Sequence, residues 1–212
     1  PGLVDRRNTG AHDDMDLPLF HRSAAALEPY FCRFVSLGMA GASPAELQAL
    51  GREAEHAMLT ATGGVNTHKG ALYSFTLLLS ALGRSLTEGG DPFHTAAAIA
   101  AALPPASGTH GRAQCGGVRQ EAISGFPTAR HMRELLSRSG ALAALTWSMS
   151  RLDDSTLVYR GGPEGLRYVR QAASALLALP ENALAPALEA LDDDLIARHL
   201  SPGGSADLLS LA

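Results

Sequence analysis

Residues 43–64 read SPAELQALGREAEHAMLTATGG. Ser43-Pro44-Ala45-Glu46 is a capping box with proline at the first helical position. A helix is therefore predicted from 44 to about Ala61, and Gly63-Gly64 ends it. Toward the N-terminus, Leu27, Tyr30, Phe31, Phe34 and Leu37 recur at helical spacing within 17–39, with Gly38 and Gly41 as stop signals. Toward the C-terminus, Asn66 reads as the N-cap of a helix to about Leu86, with Leu72, Phe75, Leu78, Leu79 and Leu82 on its apolar side. Asp91-Pro92 repeats the cap-plus-proline signature and opens a short Ala-rich helix that stops before Pro104-Pro105. Residues 104–128, rich in proline and glycine, read as a long loop. Beyond it, helices are expected over 129–137 and 141–150, a loop over 153–162, and helices from Pro163 to Leu179 and from Asn182 or Ala185 to Leu200. Ser205 is expected to cap a last short turn.

Composition agrees with that pattern. Of 212 residues, 37 are Ala and 33 Leu, whereas Val and Ile together number 9. Strands draw on β-branched and aromatic residues, so the expectation is one all-α domain over 1–212, a bundle of roughly eight helices with polar motifs in its loops. The opening at Pro1, without methionine and within a polar stretch, suggests that a natural N-terminal segment is missing. A net charge of −4 gives no basic field, so nucleic acid is not an expected partner. Cys32 and Cys115 form no CxxC pair, and the apolar runs are too short to span a bilayer, so a cytoplasmic protein is expected, with no membrane association. Walker, HExxH and GxSxG patterns are absent, which removes P-loop, metalloprotease and serine-hydrolase readings.

Chemistry concentrates in loops. Of 17 basic residues, 16 are Arg and one is Lys69, which stands in Gly63-Gly64-Val65-Asn66-Thr67-His68-Lys69-Gly70. Two glycines leading into a helix start, with an ammonium in the first turn, suit a polyphosphate, although a solvated lysine at a helix–turn–helix joint would look the same. In Pro1-Gly2-Leu3-Val4-Asp5-Arg6-Arg7-Asn8-Thr9-Gly10-Ala11-His12-Asp13-Asp14-Met15-Asp16, Asp14 and Asp16 could supply the one or two carboxylates that Mg²⁺ takes, or could favour the helix that follows. Among the histidines, His12, His68 and His110 lie in motif loops and are the ones to test for acid–base roles.

The segments Thr62 to Gly70, Pro1 to Asn8 with Gly10-Ala11-His12 and Asp14-Met15, Arg119-x-Glu121-Ala122 with Gly125-Phe126-Pro127, Arg160-Gly161-Gly162, and Leu200 to Leu209 resemble, in order, the signatures of the triphosphoribosyl-dephospho-CoA synthase family. Asp153-Asp154-Ser155-Thr156 matches less closely. The resemblance implies a reaction that joins C1′ of the ATP ribose to the 2′-hydroxyl of 3′-dephospho-CoA, releases adenine and keeps the triphosphate. The product is the precursor of the prosthetic group of citrate lyase or malonate decarboxylase, and the Ala- and Arg-rich composition inclines the reading to the malonate decarboxylase branch. On this resemblance ATP binding is assigned to Arg6, Arg7, Gly64, Asn66, Thr67, His68, Lys69, Arg160, Gly203, Gly204 and Ser205. Arg119 is assigned to dephospho-CoA, Asp5, Asp14 and Asp16 to Mg²⁺, and the general base to Glu55, Glu121 or His68. A homodimer is held open. The competing readings are a noncatalytic nucleotide-binding helical protein and a Mg²⁺-dependent nucleotide hydrolase.

Overall fold

The computed structural model describes residues 1–104 and 117–212, and within them nine helices and no strand. They are α1 (Leu17–Met39), α2 (Pro44–Ala61), α3 (Lys69–Glu88), α4 (Pro92–Ala102), α5 (Gly117–Ile123), α6 (Pro127–Arg151), α7 (Ser155–Leu176), α8 (Glu181–Ala197) and α9 (Gly203–Leu209). The all-α reading holds. The described residues divide into two compact units, 18–104 with 118–127, and 1–17 with 117 and 128–212.

In the α1–α5 unit the capping box of α2 forms as read: the Ser43 hydroxyl accepts from Glu46 N–H, and the Glu46 carboxylate accepts from Ser43 N–H at 2.8 Å. The core joins Leu27 and Phe34 of α1, Leu50, Ala54 and Met58 of α2 and Leu72 of α3. Phe34 and Met58 are fully enclosed, each contributing about 1.5–3 kcal/mol of burial. Gly38, expected as a stop, lies inside α1. A Cβ there would sit 1.9 Å from the Ser80 carbonyl oxygen, and one on Gly83 would sit 2.0 Å from that of Val35, so both glycines serve the close crossing of α1 and α3. The left-handed turn after α1 belongs to Gly41. Two further readings are corrected here. The helix expected from Asn66 begins at Lys69 with His68 at its N-cap, and Asn66 lies two residues earlier, its side-chain oxygen accepting from Lys69 N–H at 3.1 Å. The segment 104–128 is not all loop, because 117–123 forms α5.

In the α6–α9 unit the core gathers Leu145, Met149, Leu157, Leu166, Val169, Leu191, Leu195 and Leu200. The two helices expected over 129–150 appear as α6, broken at Gly140 by a left-handed φ of 80°. The loop expected over 153–162 is instead mostly helix. Asp154 caps α7 at Ser155, and the chain breaks only at Gly162, φ 64°, before Pro163 restarts it. Glycine is what that break needs, and proline what the restart tolerates. Ser205 does not cap the last turn, since α9 already begins at Gly203. No helix among the described residues is long and apolar enough to cross a membrane.

Candidate active site

In the α1–α5 unit the Gly63–Gly70 segment forms a polar cluster beside an open turn. Gly63 and Gly64 have φ of 65° and 92° with nothing within 4 Å of where a Cβ would stand, so the turn is glycine's by backbone conformation and leaves free space on its outer side. The Lys69 ammonium projects from the first residue of α3 and meets the Glu55 carboxylate of α2 at 2.6 Å, with about half its side chain exposed. An ion pair this exposed is worth only about 0–1 kcal/mol, so an incoming polyphosphate can take the lysine at little cost. Next to it, Thr67 donates to the Ser23 hydroxyl at 2.7 Å, and Ser23 lies 2.7 Å from Nδ1 of His68. Phe20 meets the His68 ring edge-on at 4.9 Å, and burial holds the imidazole pKa below its ordinary 6.5.

Arg119 and Glu121 belong to the same unit, on α5. Arg119 donates to the carbonyls of Leu103 at 2.7 Å and Ala100 at 3.5 Å, filling acceptors left open at the end of α4. Glu121 is engaged as well, and its carbonyl accepts from Phe126 N–H. His110 lies outside the described residues.

In the α6–α9 unit the opening segment is a strap tied down by its own charges. Asp192, almost wholly buried, accepts from Gly2 N–H and from the Asn8 amide, each at 2.7 Å, and from Arg7 at 3.4 Å. Arg7 also meets Asp193 at 3.2 Å, so its guanidinium is engaged with α8, whereas Arg6 is exposed and makes no ion pair among the described residues. Arg160 donates to the Ala11 carbonyl at 2.7 Å and to Nδ1 of His12 at 2.9 Å. Guanidinium can only donate, so Nδ1 is the acceptor and the His12 proton sits on Nε2, facing the Ser201 hydroxyl at 3.0 Å. Burial first, and Arg160 second, hold the His12 pKa below 6.5.

Among the described residues no three His, Cys, Asp or Glu side chains converge on a metal position. Asp5 uses an oxygen on the N–H groups of Arg7 and Asn8, Asp16 is engaged elsewhere, and Asp14 is exposed, 3.9 Å from His12 Nδ1. Mg²⁺ commonly takes one or two protein carboxylates and completes its octahedron with phosphates and water, a pattern that Asp14 fits.

Three residues gain a role only from the structure. Ser23 looks like an ordinary residue inside α1 and is fully buried beneath His68. Asp192 stands in an acidic run of α8. Asp154, also buried, receives the N–H groups of Thr156 and Leu157 on one oxygen and of Ser205 on the other, so one carboxylate caps both α7 and α9. Burial raises its pKa, and backbone N–H groups of Ser205, Thr156, Leu157 and Gly204 pull it back down. A Cβ on Gly204 would stand 3.0 Å from that carboxyl, so Gly203-Gly204 is as much a packing requirement as a binding turn. An Asp just before Ser-Thr at a helix start was the one legible signal of the three.

The family model for ATP:dephospho-CoA triphosphoribosyl transferase matches residues 1–104 and 108–212. The chain belongs to this family. The transferase family's curated members include a probable 2-(5″-triphosphoribosyl)-3′-dephosphocoenzyme-A synthase 1 from Salmonella choleraesuis, 41% identical over all of this chain and 82% of its own length. A synthase from Klebsiella pneumoniae is 40% identical with the same coverage, and one from Haemophilus ducreyi is 34% identical over all of this chain and 80% of its own. No solved structure matches the chain.

Proposed function

We infer that this protein transfers the 5-triphosphoribosyl group of ATP to the 2′-hydroxyl of 3′-dephospho-CoA, releasing adenine. The family match along the chain carries this reading. No P–O bond breaks. The bond from C1′ to the adenine nitrogen breaks with its electron pair leaving on adenine, and the acceptor oxygen bonds to C1′ through an oxocarbenium-like centre, as in glycoside transfer. The acceptor's proton must go to a base, and the departing adenine must gain a proton.

Lys69, with the open Gly63-Gly64 turn, Asn66 and Thr67, grips the triphosphate, and Arg6 is assigned to ATP by the family resemblance. Arg7 and Arg160 act by holding the strap, and Gly203, Gly204 and Ser205 form the turn assigned to the nucleotide. Glu55 is the base: its carboxylate is masked by Lys69 at 2.6 Å and is released when the lysine turns to phosphate. Glu121 and Arg119 are assigned to the acceptor side. Of the three carboxylates assigned to Mg²⁺, Asp5, Asp14 and Asp16, Asp14 is the one that would hold the ion, which when bound would offset phosphate charge. A cytoplasmic setting and a homodimer belong to the same proposal.

Incubation with ATP, Mg²⁺ and dephospho-CoA, with chromatography of the products, tests it. Free adenine and a triphosphate-bearing coenzyme adduct are expected. Phosphate or pyrophosphate release without adenine would mark a hydrolase, and ATP binding with no product a noncatalytic protein. Supplying the adduct pathway with the carrier subunit of malonate decarboxylase or of citrate lyase then separates the two branches, the former being expected.

A further inference from the structure

The His68 ring is held from below by residues that no motif includes. Ser23 lies in α1, is fully buried, and has its oxygen 2.7 Å from Nδ1 of His68; Thr67 donates into the same oxygen at 2.7 Å. A serine hydroxyl has one proton to give, and Thr67 already fills one of its acceptor positions. Among the described residues the acceptor open to that proton is His68 Nδ1, since the Thr67 oxygen is itself the donor in their bond. Nδ1, which also lies 3.2 Å from the Thr67 hydroxyl, then carries the lone pair, and the ring proton resides on Nε2, which makes no hydrogen bond to a described residue. We propose that Ser23 is a positioning residue of the site: its hydroxyl donates to Nδ1 of His68, so that the ring offers Nε2–H to a phosphate oxygen of the nucleotide held by Lys69.

Three consequences follow from the geometry. First, His68 is not the general base, because its one lone pair is occupied from within the core; the role stays with Glu55. Second, burial lowers the imidazole pKa, which keeps the ring neutral and the tautomer meaningful at pH 7. Third, the edge of Phe20 at 4.9 Å and the bond from His68 N–H to the Met58 sulfur at 3.4 Å fix ring and backbone together, so the donor is aimed before ligand arrives. The site then pairs one half-exposed cation, Lys69, with one fixed neutral donor, His68 Nε2–H.

This inference rests on the triphosphate reading, and the two are separable by experiment. Nitrogen NMR of imidazole-labelled protein without nucleotide reports the tautomer directly: the Nε2–H form is expected at His68 in the unaltered chain, and a proton on Nδ1 would overturn the proposal. In Ser23→Ala the Nε2–H form should give way to a mixture, and calorimetric affinity for ATP should fall by about fivefold, the size of one neutral hydrogen bond. Ser23→Thr, which keeps the hydroxyl, should restore both readouts relative to Ser23→Ala. An unchanged tautomer in Ser23→Ala, or unchanged ATP affinity once the tautomer has shifted, overturns the positioning role. If the unaltered protein binds ATP yet releases no adenine, it is the transferase reaction that fails, while tautomer and affinity still decide Ser23.

Discussion

Two polar loops of this chain look alike in sequence and are used in opposite ways. The strap over 1–16 and the segment Gly63–Gly70 both mix glycine, asparagine, histidine and cationic residues. In the strap Arg7 is consumed by the protein, engaged with Asp192 and Asp193, and Arg160 of α7 ties the strap down at the Ala11 carbonyl and the His12 ring, while Arg6 stays exposed. In the second segment Gly63 and Gly64 face empty space, and Lys69, about half exposed, is paired among the described residues with the half-buried Glu55. A cation spent internally, as Arg7 is, serves as a structural tie. A cation weakly paired beside open backbone, as Lys69 is, can exchange its partner for an anion at little cost.

Substitutions can break that contrast, and the sharpest should be Glu55→Gln. Loss of a base predicts that adenine release falls by about 10²–10⁴-fold while ATP still binds, as followed by chromatography and calorimetry together. Activity within twofold of the unaltered enzyme would remove Glu55 from the chemistry. Lys69→Ala should weaken ATP binding by about 30-fold, the worth of a charge-assisted contact, with the helical circular-dichroism signal unchanged. Arg160→Ala should do the reverse, lowering stability to denaturant by about 2 kcal/mol through the strap bonds it leaves unmade. If instead Lys69→Ala unfolded the protein and Arg160→Ala did not, the assignment of tie and site would have to be exchanged.

The smallest effect expected is a pH dependence. His12 and His68 both have folded-state pKa values below the ordinary 6.5. The folded chain therefore binds fewer protons than the unfolded chain just below that value. Stability is complete above pH 6.5 and declines as pH falls through the depressed values. Denaturant midpoints at neutral pH and at about pH 5.5 should show that decline, and His12→Gln should remove its share. A midpoint that rose on acidification would contradict the buried neutral state of both rings.

Much of this was legible along the chain because it is local. The cap and proline of α2, the Asp91-Pro92 start of α4 and the glycine break before Pro163 are decided within a few residues, where backbone sterics and one side-chain bond dominate. The failures were of two kinds. Residues 153–162 were read as loop from their polarity, whereas Asp154 turns that polarity into a helix cap. Gly38 was read as a stop, whereas its missing Cβ admits the α3 backbone. Helical propensity could not reveal the second role, because the neighbour it accommodates lies 42 residues away in sequence.

The all-α class, most helix starts, the family and the place of Lys69 in its loop can be read along the chain, since each follows from composition, local capping chemistry or an ordered set of motifs. Which charges the protein uses internally follows from the fold alone. It showed Arg7 and Arg160 engaged by the protein, Asp154 shared between two helix ends, and Ser23 beneath the His68 ring. A side chain's availability depends on what the fold brings within about 3 Å of it, and hydrogen-bond geometry over that distance is not written in any single segment.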